Sequence, residues 1–197
     1  MTRIAVFHSV LGPRPGIEEA AERLRGAGHE VLVVDQYGGR VFDDYGEAAA
    51  FAESIGYPEL MRRAAAAVEA LHDGFVAAGF SNGGGMAEYV ATQRHVAGVL
   101  MLSAALPLEM LGADAWPTNV PAQLHYTERD PFRKHEWIEA VAASLRDAGA
   151  PLEVFDYPGD GHLFTDASLP VEYQPDEAEL LWERVLGFTP LARGGSS

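Results

Sequence analysis

The sequence contains no cysteine, which excludes disulfides, thiolate zinc sites and a cysteine nucleophile. Lysine is almost as rare: Lys134 is the only one, and its place at the start of a predicted helix makes it a poor candidate for Schiff-base chemistry. Basic clusters are also missing, and the formal charge is −15. Because phosphate groups and anionic lipids attract basic surfaces, we expect neither a nucleic-acid partner nor a membrane partner.

Long apolar runs are missing as well. No stretch approaches the roughly 18 apolar residues of a membrane-spanning helix, and the first residues lack the charged and apolar regions of a signal peptide. We therefore expect a cytoplasmic location. We predict a single domain over residues 1–190, a flexible tail over 191–197, and neither a cofactor nor a metal; the oligomeric state is left open.

The sequence does contain six short apolar runs that are typical of buried strands, separated by helical patterns. The predicted strands are residues 4–10, 30–35, 75–78, 96–103, 121–127 and 151–157. The predicted helices are residues 17–27, 46–54, 59–71, 82–94, 132–148 and 176–186. Alternating strands and helices predict an α/β fold with a doubly wound, mostly parallel sheet of about six strands and no large lid domain. Ligands of such sheets bind at the carboxyl ends of the strands.

One stretch combines a strand, a sharp turn and a helix around a serine. Gly79-Phe80-Ser81-Asn82-Gly83 is a G-x-S-x-G motif that lies where the third apolar run ends and a helical pattern begins. This is the setting of the nucleophile elbow of α/β-hydrolases, in which the turn lifts the serine hydroxyl clear of the sheet. A glycine-rich sequence can produce the motif by chance, so its meaning depends on the partners that a nucleophilic serine needs.

Those partners are a histidine base and an acid that orients it. In α/β-hydrolases they follow in the order serine, acid, histidine. Asp130 follows the fifth predicted strand and His162 follows the sixth, so both leave the sheet at the same edge as Ser81. We predict Ser81, Asp130 and His162 as the catalytic residues.

The identity of the acid stays open at this point. Glu128 lies two residues before Asp130, and Asp160 lies two residues before His162, where it can instead serve as a turn residue between two glycines. We place Asp130 first because it directly follows a strand in the required order. The predicted oxyanion hole consists of two main-chain N–H groups, those of Asn82 and Val10.

Other residues have two interpretations each. His8 ends the first strand, which predicts either a supporting or a pocket role. Five aromatic residues between the second strand and the third helix either line a substrate pocket or form a hydrophobic cluster beneath a loop: Tyr37, Phe42, Tyr45, Phe51 and Tyr57. Four arginines are candidates for contact with an anionic substrate: Arg14, Arg40, Arg129 and Arg133.

Across nearly its whole length the sequence resembles the dienelactone hydrolase family. The resemblance is carried, in family order, by five segments: residues 7–12, residues 35–37, the glycine-rich motif at 79–84, the Asp130 loop and Gly161-His162-Leu163-Phe164. It implies a small α/β-hydrolase that acts on an ester, a lactone or a similar carbonyl compound through Ser81, His162 and Asp130.

The sequence also departs from the family pattern. The best-known members use a cysteine nucleophile, carry a glutamate where Ser9 stands here, and have an arginine where Asp166 stands here. These differences disfavour an anionic dienelactone as the substrate. The leading hypothesis is a serine-dependent carboxylic-ester or lactone hydrolase. Alternatives are a different acyl-transfer substrate, such as a thioester or a peptide, and a non-catalytic α/β-hydrolase-fold module that binds a ligand or partner.

Overall fold

A six-stranded sheet organises the computed structural model, which describes residues 1–192. The strands, in chain order, are β1 Arg3–Phe7, β2 Glu30–Val34, β3 Phe75–Phe80, β4 Val96–Leu102, β5 Ala122–Thr127 and β6 Leu152–Tyr157. Their order in the sheet is β2-β1-β3-β4-β5-β6, and every neighbouring pair is parallel. The predicted α/β fold with a doubly wound parallel sheet is confirmed.

The helices lie between these strands. In chain order they are α1 Pro15–Gly26, α2 Tyr45–Ile55, α3 Tyr57–Ala67, α4 Asn82–Gln93, α5 His135–Asp147, α6 Pro175–Leu186 and α7 Thr189–Ala192, with a 3₁₀ helix at Leu108–Leu111 after β4. Among residues 1–192, no helix has both the length and the apolar character needed to cross a bilayer. The flexible tail predicted over 191–197 begins inside α7, where Leu191 is buried, and residues 193–197 lie outside the described part of the chain.

The continuous apolar runs form strands because the sheet is covered on both faces. Along β3, Phe75 and Ala77 belong to the core on one face, while Val76, Ala78 and Phe80 belong to the core on the other. All six residues of β3 are buried. This central strand therefore holds its carboxyl end, and the turn that follows, in a rigid position.

Several predicted boundaries were wrong by a few residues. The first strand ends at Phe7 and not at residue 10, because the chain leaves the sheet at His8 to form the loop that borders the site. Helix α5 begins at His135 and not at residue 132, because the N–H of Phe132 donates to the Asp130 carboxylate. Helix α3 spans residues 57–67 and not 59–71.

Candidate active site

Ser81 occupies the sharp turn between β3 and α4. Its backbone has φ 51° and ψ −119°, a conformation that costs a non-glycine residue free energy and that is concentrated at functional sites. The flanking glycines are required sterically. A Cβ at Gly79 would collide with the backbone of Gly83, and a Cβ at Gly83 would collide with the carbonyl groups of Phe7 and His8. The helix can therefore start directly against the strands, which presents the Ser81 hydroxyl at the carboxyl edge of the sheet.

His162 connects this serine to a carboxylate. Its Nε2 lies 2.7 Å from Ser81 Oγ, and its Nδ1 lies 2.7 Å from Asp130 Oδ2. Because an ionised carboxylate only accepts hydrogen bonds, Nδ1–H donates to Asp130, which leaves Nε2 to accept the proton of the serine hydroxyl. The structure thus brings the three predicted residues into one hydrogen-bonded chain.

The other candidate acids lie elsewhere. Glu128 and Asp160 are exposed, whereas Asp130 is 6% exposed and is further held by the N–H of Phe132, 2.7 Å from Oδ1. A buried carboxylate with two donors at fixed positions is well suited to hold an imidazole in one orientation. The geometry favours Asp130 as the partner of His162.

Two hydroxyl groups hold the loop that carries His162, and sequence reasoning missed both. Ser103 Oγ donates to the carbonyl oxygen of His162 at 2.6 Å, and Thr127 Oγ1 donates to the carbonyl oxygen of Gly161 at 2.9 Å. Ser103 directly follows β4, and Thr127 is the last residue of β5. A signal was therefore available, since both are polar residues at the carboxyl ends of buried strands.

Ser103 provides a test of this support, because it too has a positive φ, of 53°. In Ser103→Ala the His162 carbonyl loses its donor, and we expect the turnover number of the candidate site to fall by up to about 10²-fold as the imidazole shifts. Ser103→Gly lacks the same hydroxyl but adopts positive φ without strain. It should therefore lose similar activity while melting at a higher temperature than Ser103→Ala. Equal activity in both variants and the wild type would exclude a positioning role.

The two predicted oxyanion donors border the same space. Val10 and Asn82 both line the cavity into which Ser81 opens. Asn82 is the first residue of α4, so its N–H has no partner within the helix. Val10 lies in the loop after β1, where the hydroxyl of Ser9 accepts a hydrogen bond from the N–H of Leu11 at 3.2 Å.

His8 supports the loop after β1 through hydrogen bonds. It is fully buried, its Nδ1 donates to the carbonyl of Ser9 at 2.7 Å, and its Nε2 accepts from the N–H of Gln36 at 3.1 Å. Burial lowers the pKa of His8, although the Ser9 contact and Asp35 oppose this shift. A neutral ring satisfies both hydrogen bonds, so His8 acts here as a structural support for the loop.

The cavity at Ser81 has a volume of about 480 Å³, within the usual range for small-molecule sites. Its walls come from the loop after β1, helices α2 and α3, the start of α4, the loop after β4, the last part of β5 and α5. Over residues 1–192, no aspartate, glutamate, lysine or arginine lines it. Nor does that range contain a cluster of three or more histidine, aspartate or glutamate side chains placed to bind a metal.

Of the five aromatic residues that follow the second strand, some line the cavity and the others form a hydrophobic cluster. Tyr45 and Tyr57 line the cavity. Tyr37, Phe42 and Phe51 pack against one another edge-on or tilted, with ring centroids 5.1–6.3 Å apart. Tyr37 belongs to the buried core, and Phe42 and Phe51 are partly buried against it. Burial raises the pKa of Tyr37 to about 12.

None of the four candidate arginines lines the cavity. Arg14 is buried, bonds to Asp43 at 2.7 Å and lies 3.6 Å from Asp166. Arg133 pairs with Asp156 at 2.7 Å, and the Arg40 guanidinium lies 5.0 Å from the centroid of the Phe51 ring. The fourth, Arg129, is exposed to solvent.

A carboxyl group that sequence reasoning missed lies beneath the cavity. Glu88 of α4 is completely buried, and its Oε1 accepts from the N–H of Leu106, a cavity residue, at 3.0 Å. Its Oε2 has no hydrogen-bond partner among the described residues. Burial raises the pKa of Glu88 well above its usual value, although the hydrogen bond from Leu106 opposes the shift. Glu88 therefore holds the loop after β4 as a neutral acid.

This burial predicts a pH-dependent stability. Above the pKa of an unfolded glutamate, about 4.3, the unfolded chain has lost a proton that folded Glu88 keeps, so the free energy of unfolding falls by up to about 1.4 kcal/mol per pH unit until the folded pKa is reached. Glu88→Gln keeps the acceptor for Leu106 and cannot ionise. Urea unfolding at pH 5, 6 and 7 should show the variant gaining stability relative to the wild type as pH rises. A difference independent of pH would contradict a protonated Glu88.

A parallel doubly wound sheet with a strand–serine–helix turn at its carboxyl edge defines an α/β-hydrolase fold. The model of the dienelactone hydrolase family matches residues 2–190, so the chain belongs to the dienelactone hydrolase family. It is a hydrolase of the α/β fold. A sequence search of curated proteins found no match.

Solved structures share this fold at low sequence identity. A dienelactone hydrolase-like promiscuous phosphotriesterase from metagenomic libraries is 21% identical, with a TM-score of 0.82 over 95% of this chain and 84% of its own. The dienelactone hydrolase of Anabaena variabilis is 20% identical, with a TM-score of 0.62 over 92% and 84%. Esterase PE8 is 16% identical, with a TM-score of 0.64 over 93% and 91%.

Proposed function

We propose that this protein hydrolyses a carboxylic ester or lactone through an acyl-enzyme on Ser81. The observation that carries the proposal is the unbroken hydrogen-bonded chain from Ser81 Oγ through His162 to Asp130, with 2.7 Å at each step. A serine hydroxyl is a poor nucleophile unless an adjacent base takes its proton, and this arrangement supplies that base.

The proposed reaction has two halves. Ser81 Oγ attacks the carbonyl carbon while His162 Nε2 takes the hydroxyl proton, and the N–H groups of Asn82 and Val10 stabilise the resulting oxyanion. Collapse of this intermediate breaks the bond to the alcohol oxygen, which leaves with the proton from His162. Water then attacks the acyl-enzyme, His162 takes its proton and returns it to Ser81 Oγ, and the carboxylic acid is released. Throughout, Asp130 stabilises the imidazolium.

The alternative of a non-catalytic binding module predicts a triad too loose for hydrogen bonding. The two distances of 2.7 Å count against it, as does the strained backbone at Ser81, which a binding module has no need to maintain. The similar structures named as an esterase and as a phosphotriesterase support hydrolytic chemistry.

Covalent labelling tests the proposal directly. A fluorophosphonate probe should label the wild-type protein at a single peptide containing Ser81, and p-nitrophenyl esters, lactones and thioesters should then be compared as substrates. His162→Ala should be labelled far more slowly, because its serine lacks the base. An unlabelled Ser81 together with no turnover of any of these substrates would overturn the proposal.

A further inference from the structure

We propose that the cavity beside Ser81 holds an uncharged, apolar acyl group, so that the substrate is a neutral ester of an aliphatic or aromatic acid. The proposal rests on the hydrolytic function proposed above and adds the class of substrate. Three observations support it: the apolar chemistry of the cavity wall, the charges around the cavity, and the difference in solvent exposure between its buried floor and its open rim.

The wall offers an acyl group apolar surface. Apolar and aromatic side chains from many parts of the fold line it, among them Met61, Met86, Leu106, Phe132 and Trp137. The polar side chains in the wall are those of the candidate catalytic residues Ser81 and His162, together with Asn82, Ser103 and tyrosines. Ser103 is already engaged with the carbonyl of His162.

The charges around the cavity disfavour an anionic substrate. The hydroxyl of Tyr45 lies 2.9 Å from the Glu172 carboxylate, to which it donates, and Asp130 lies beyond His162. Burial, and secondarily Asp130, raise the pKa of Tyr126, although Arg133 opposes this shift, so this wall residue stays neutral. A carboxylate moved from water into this space would lose its hydration and gain no cation in return.

Two of the four candidate arginines are already held in ion pairs, and none of the four lines the cavity. The guanidinium of Arg14 is bound to Asp43 and Asp166, and that of Arg133 is bound to Asp156. Each of these arginines is more than four-fifths buried at its side chain, and neither lines the cavity. Turning Arg14 towards the substrate would leave the buried carboxylate of Asp166 without its partner. Turning Arg133 would break its ion pair with the half-exposed Asp156.

The shape of the cavity assigns the acyl group to the floor. Met86, Ala104 and Tyr126 are at most 5% exposed, whereas Met110 and Phe132 at the rim are about half exposed. Because the acyl group stays bonded to Ser81 while the alcohol must leave, the closed floor suits the acyl group and the open rim suits the alcohol. Each methylene group buried there contributes about 0.8 kcal/mol, which corresponds to roughly fourfold in kcat/KM.

An aromatic wall with carboxylates behind it is also the setting in which a quaternary ammonium group binds through cation–π contacts. The experiment therefore compares three p-nitrophenyl esters with the same leaving group and the same chain length. The first is the hexanoate, the second is the hexanoate analogue that ends in a carboxylate, and the third is the analogue that ends in a trimethylammonium group.

We expect kcat/KM for the hexanoate to exceed that for the carboxylate ester by at least about 100-fold, because burying even an unpaired uncharged polar group costs about that much and an ionised carboxylate costs more. The hexanoate should also exceed the ammonium ester, and kcat/KM should rise about fourfold per methylene from acetate to hexanoate. Equal or faster hydrolysis of either charged ester, or no dependence on chain length, would overturn the proposal.

A charge introduced into the wall should reverse part of this preference. Met61→Arg places a cation in the cavity and should lower the ratio of hexanoate to carboxylate ester by at least about tenfold. The matched control is Val154→Arg on the edge strand β6, where the side chain is exposed and outside the cavity, and it should leave the ratio unchanged. An equal shift in both variants would contradict a direct effect in the cavity.

Binding measurements distinguish a failure of this substrate-class proposal from a failure of the proposed hydrolytic function. The three esters are titrated into Ser81→Ala, with tryptophan fluorescence as the readout because Trp137 lines the cavity. If wild-type Ser81 is not labelled by a fluorophosphonate and no ester is turned over, the proposed hydrolysis fails, and tighter binding of the hexanoate still supports an apolar site. If Ser81 is labelled and esters are turned over, but Ser81→Ala binds a charged ester as tightly as the hexanoate, the substrate class alone is wrong.

Discussion

Ser81→Ala is expected to lower kcat for ester hydrolysis by about 10⁴-fold or more, with a much smaller change in KM. The variant removes the atom that forms the acyl-enzyme but leaves the cavity and the predicted oxyanion donors Val10 and Asn82 in place. Substrate should therefore still bind, while turnover falls to the residual rate that binding and the oxyanion hole provide. Steady-state kinetics with a p-nitrophenyl ester, combined with a burst-phase measurement on the wild type, checks this.

The control for this substitution is Ser144→Ala. Ser144 lies on α5, far along the chain from the elbow, and its hydroxyl donates to the carbonyl of Ala140. It undergoes the same chemical change without touching the site, and kcat should stay within about a factor of two. If Ser81→Ala retained wild-type kcat, Ser81 would not be the nucleophile.

Asp130→Asn is expected to lower kcat by about 10⁴-fold at neutral pH, the size of effect known for the corresponding change in serine proteases. Asparagine is nearly isosteric and can still accept from the N–H of Phe132, so the loop should keep its shape. Its amide can, however, donate to Nδ1 of His162. That favours the tautomer with the proton on Nε2, which cannot accept the proton of Ser81.

Glu128→Gln and Asp160→Asn are the matched controls, because each neutralises one of the two competing carboxylates. Both side chains are exposed, and each variant should retain kcat within a few-fold of the wild type. A loss of several thousand-fold in either control, with Asp130→Asn close to wild type, would assign the acid to the residue changed in that control. All three variants should be compared by melting temperature, so that a folding defect is not read as a catalytic one.

Much of the fold could be predicted because its signals are local. The six parallel strands correspond to six strand-like segments of the sequence, the central ones continuous and apolar, and glycines and prolines mark the ends between them. The candidate triad could be predicted because parallel strands bring their carboxyl ends to one edge, so Asp130 and His162 were expected near Ser81 once their strands were identified. The boundary errors at β1 and α5 arose where loop hydrogen bonds, from the N–H of Leu11 to Ser9 and from the N–H of Phe132 to Asp130, override the local pattern.

The supporting residues could not be predicted in the same way, because their roles depend on which segments meet across the fold. Ser103 reaches His162, which is 59 residues further along the chain, and Arg14 packs against Ser168, which is 154 residues further along. The direction of an aromatic side chain in the segment after β2 is likewise set by tertiary packing, which is why Tyr37 in the loop and Tyr45 at the start of α2 have different surroundings. The burial of Glu88 could not be predicted either, because the sequence of α4 alone does not show that its side chain lies against the loop after β4.

The glycines around Ser81 have a consequence for how freely this sequence can change. At Gly79 and Gly83 the obstacle is backbone, which no rotamer change can move, and at Gly84 a Cβ would collide with the Cβ of Ala104. Cavity residues such as Met61 or Met110 face open space and can vary with the substrate, whereas these glycine positions cannot. In a library of variants selected for a new substrate, Gly79, Gly83 and Gly84 should therefore stay nearly unchanged while the side chains of the cavity wall vary.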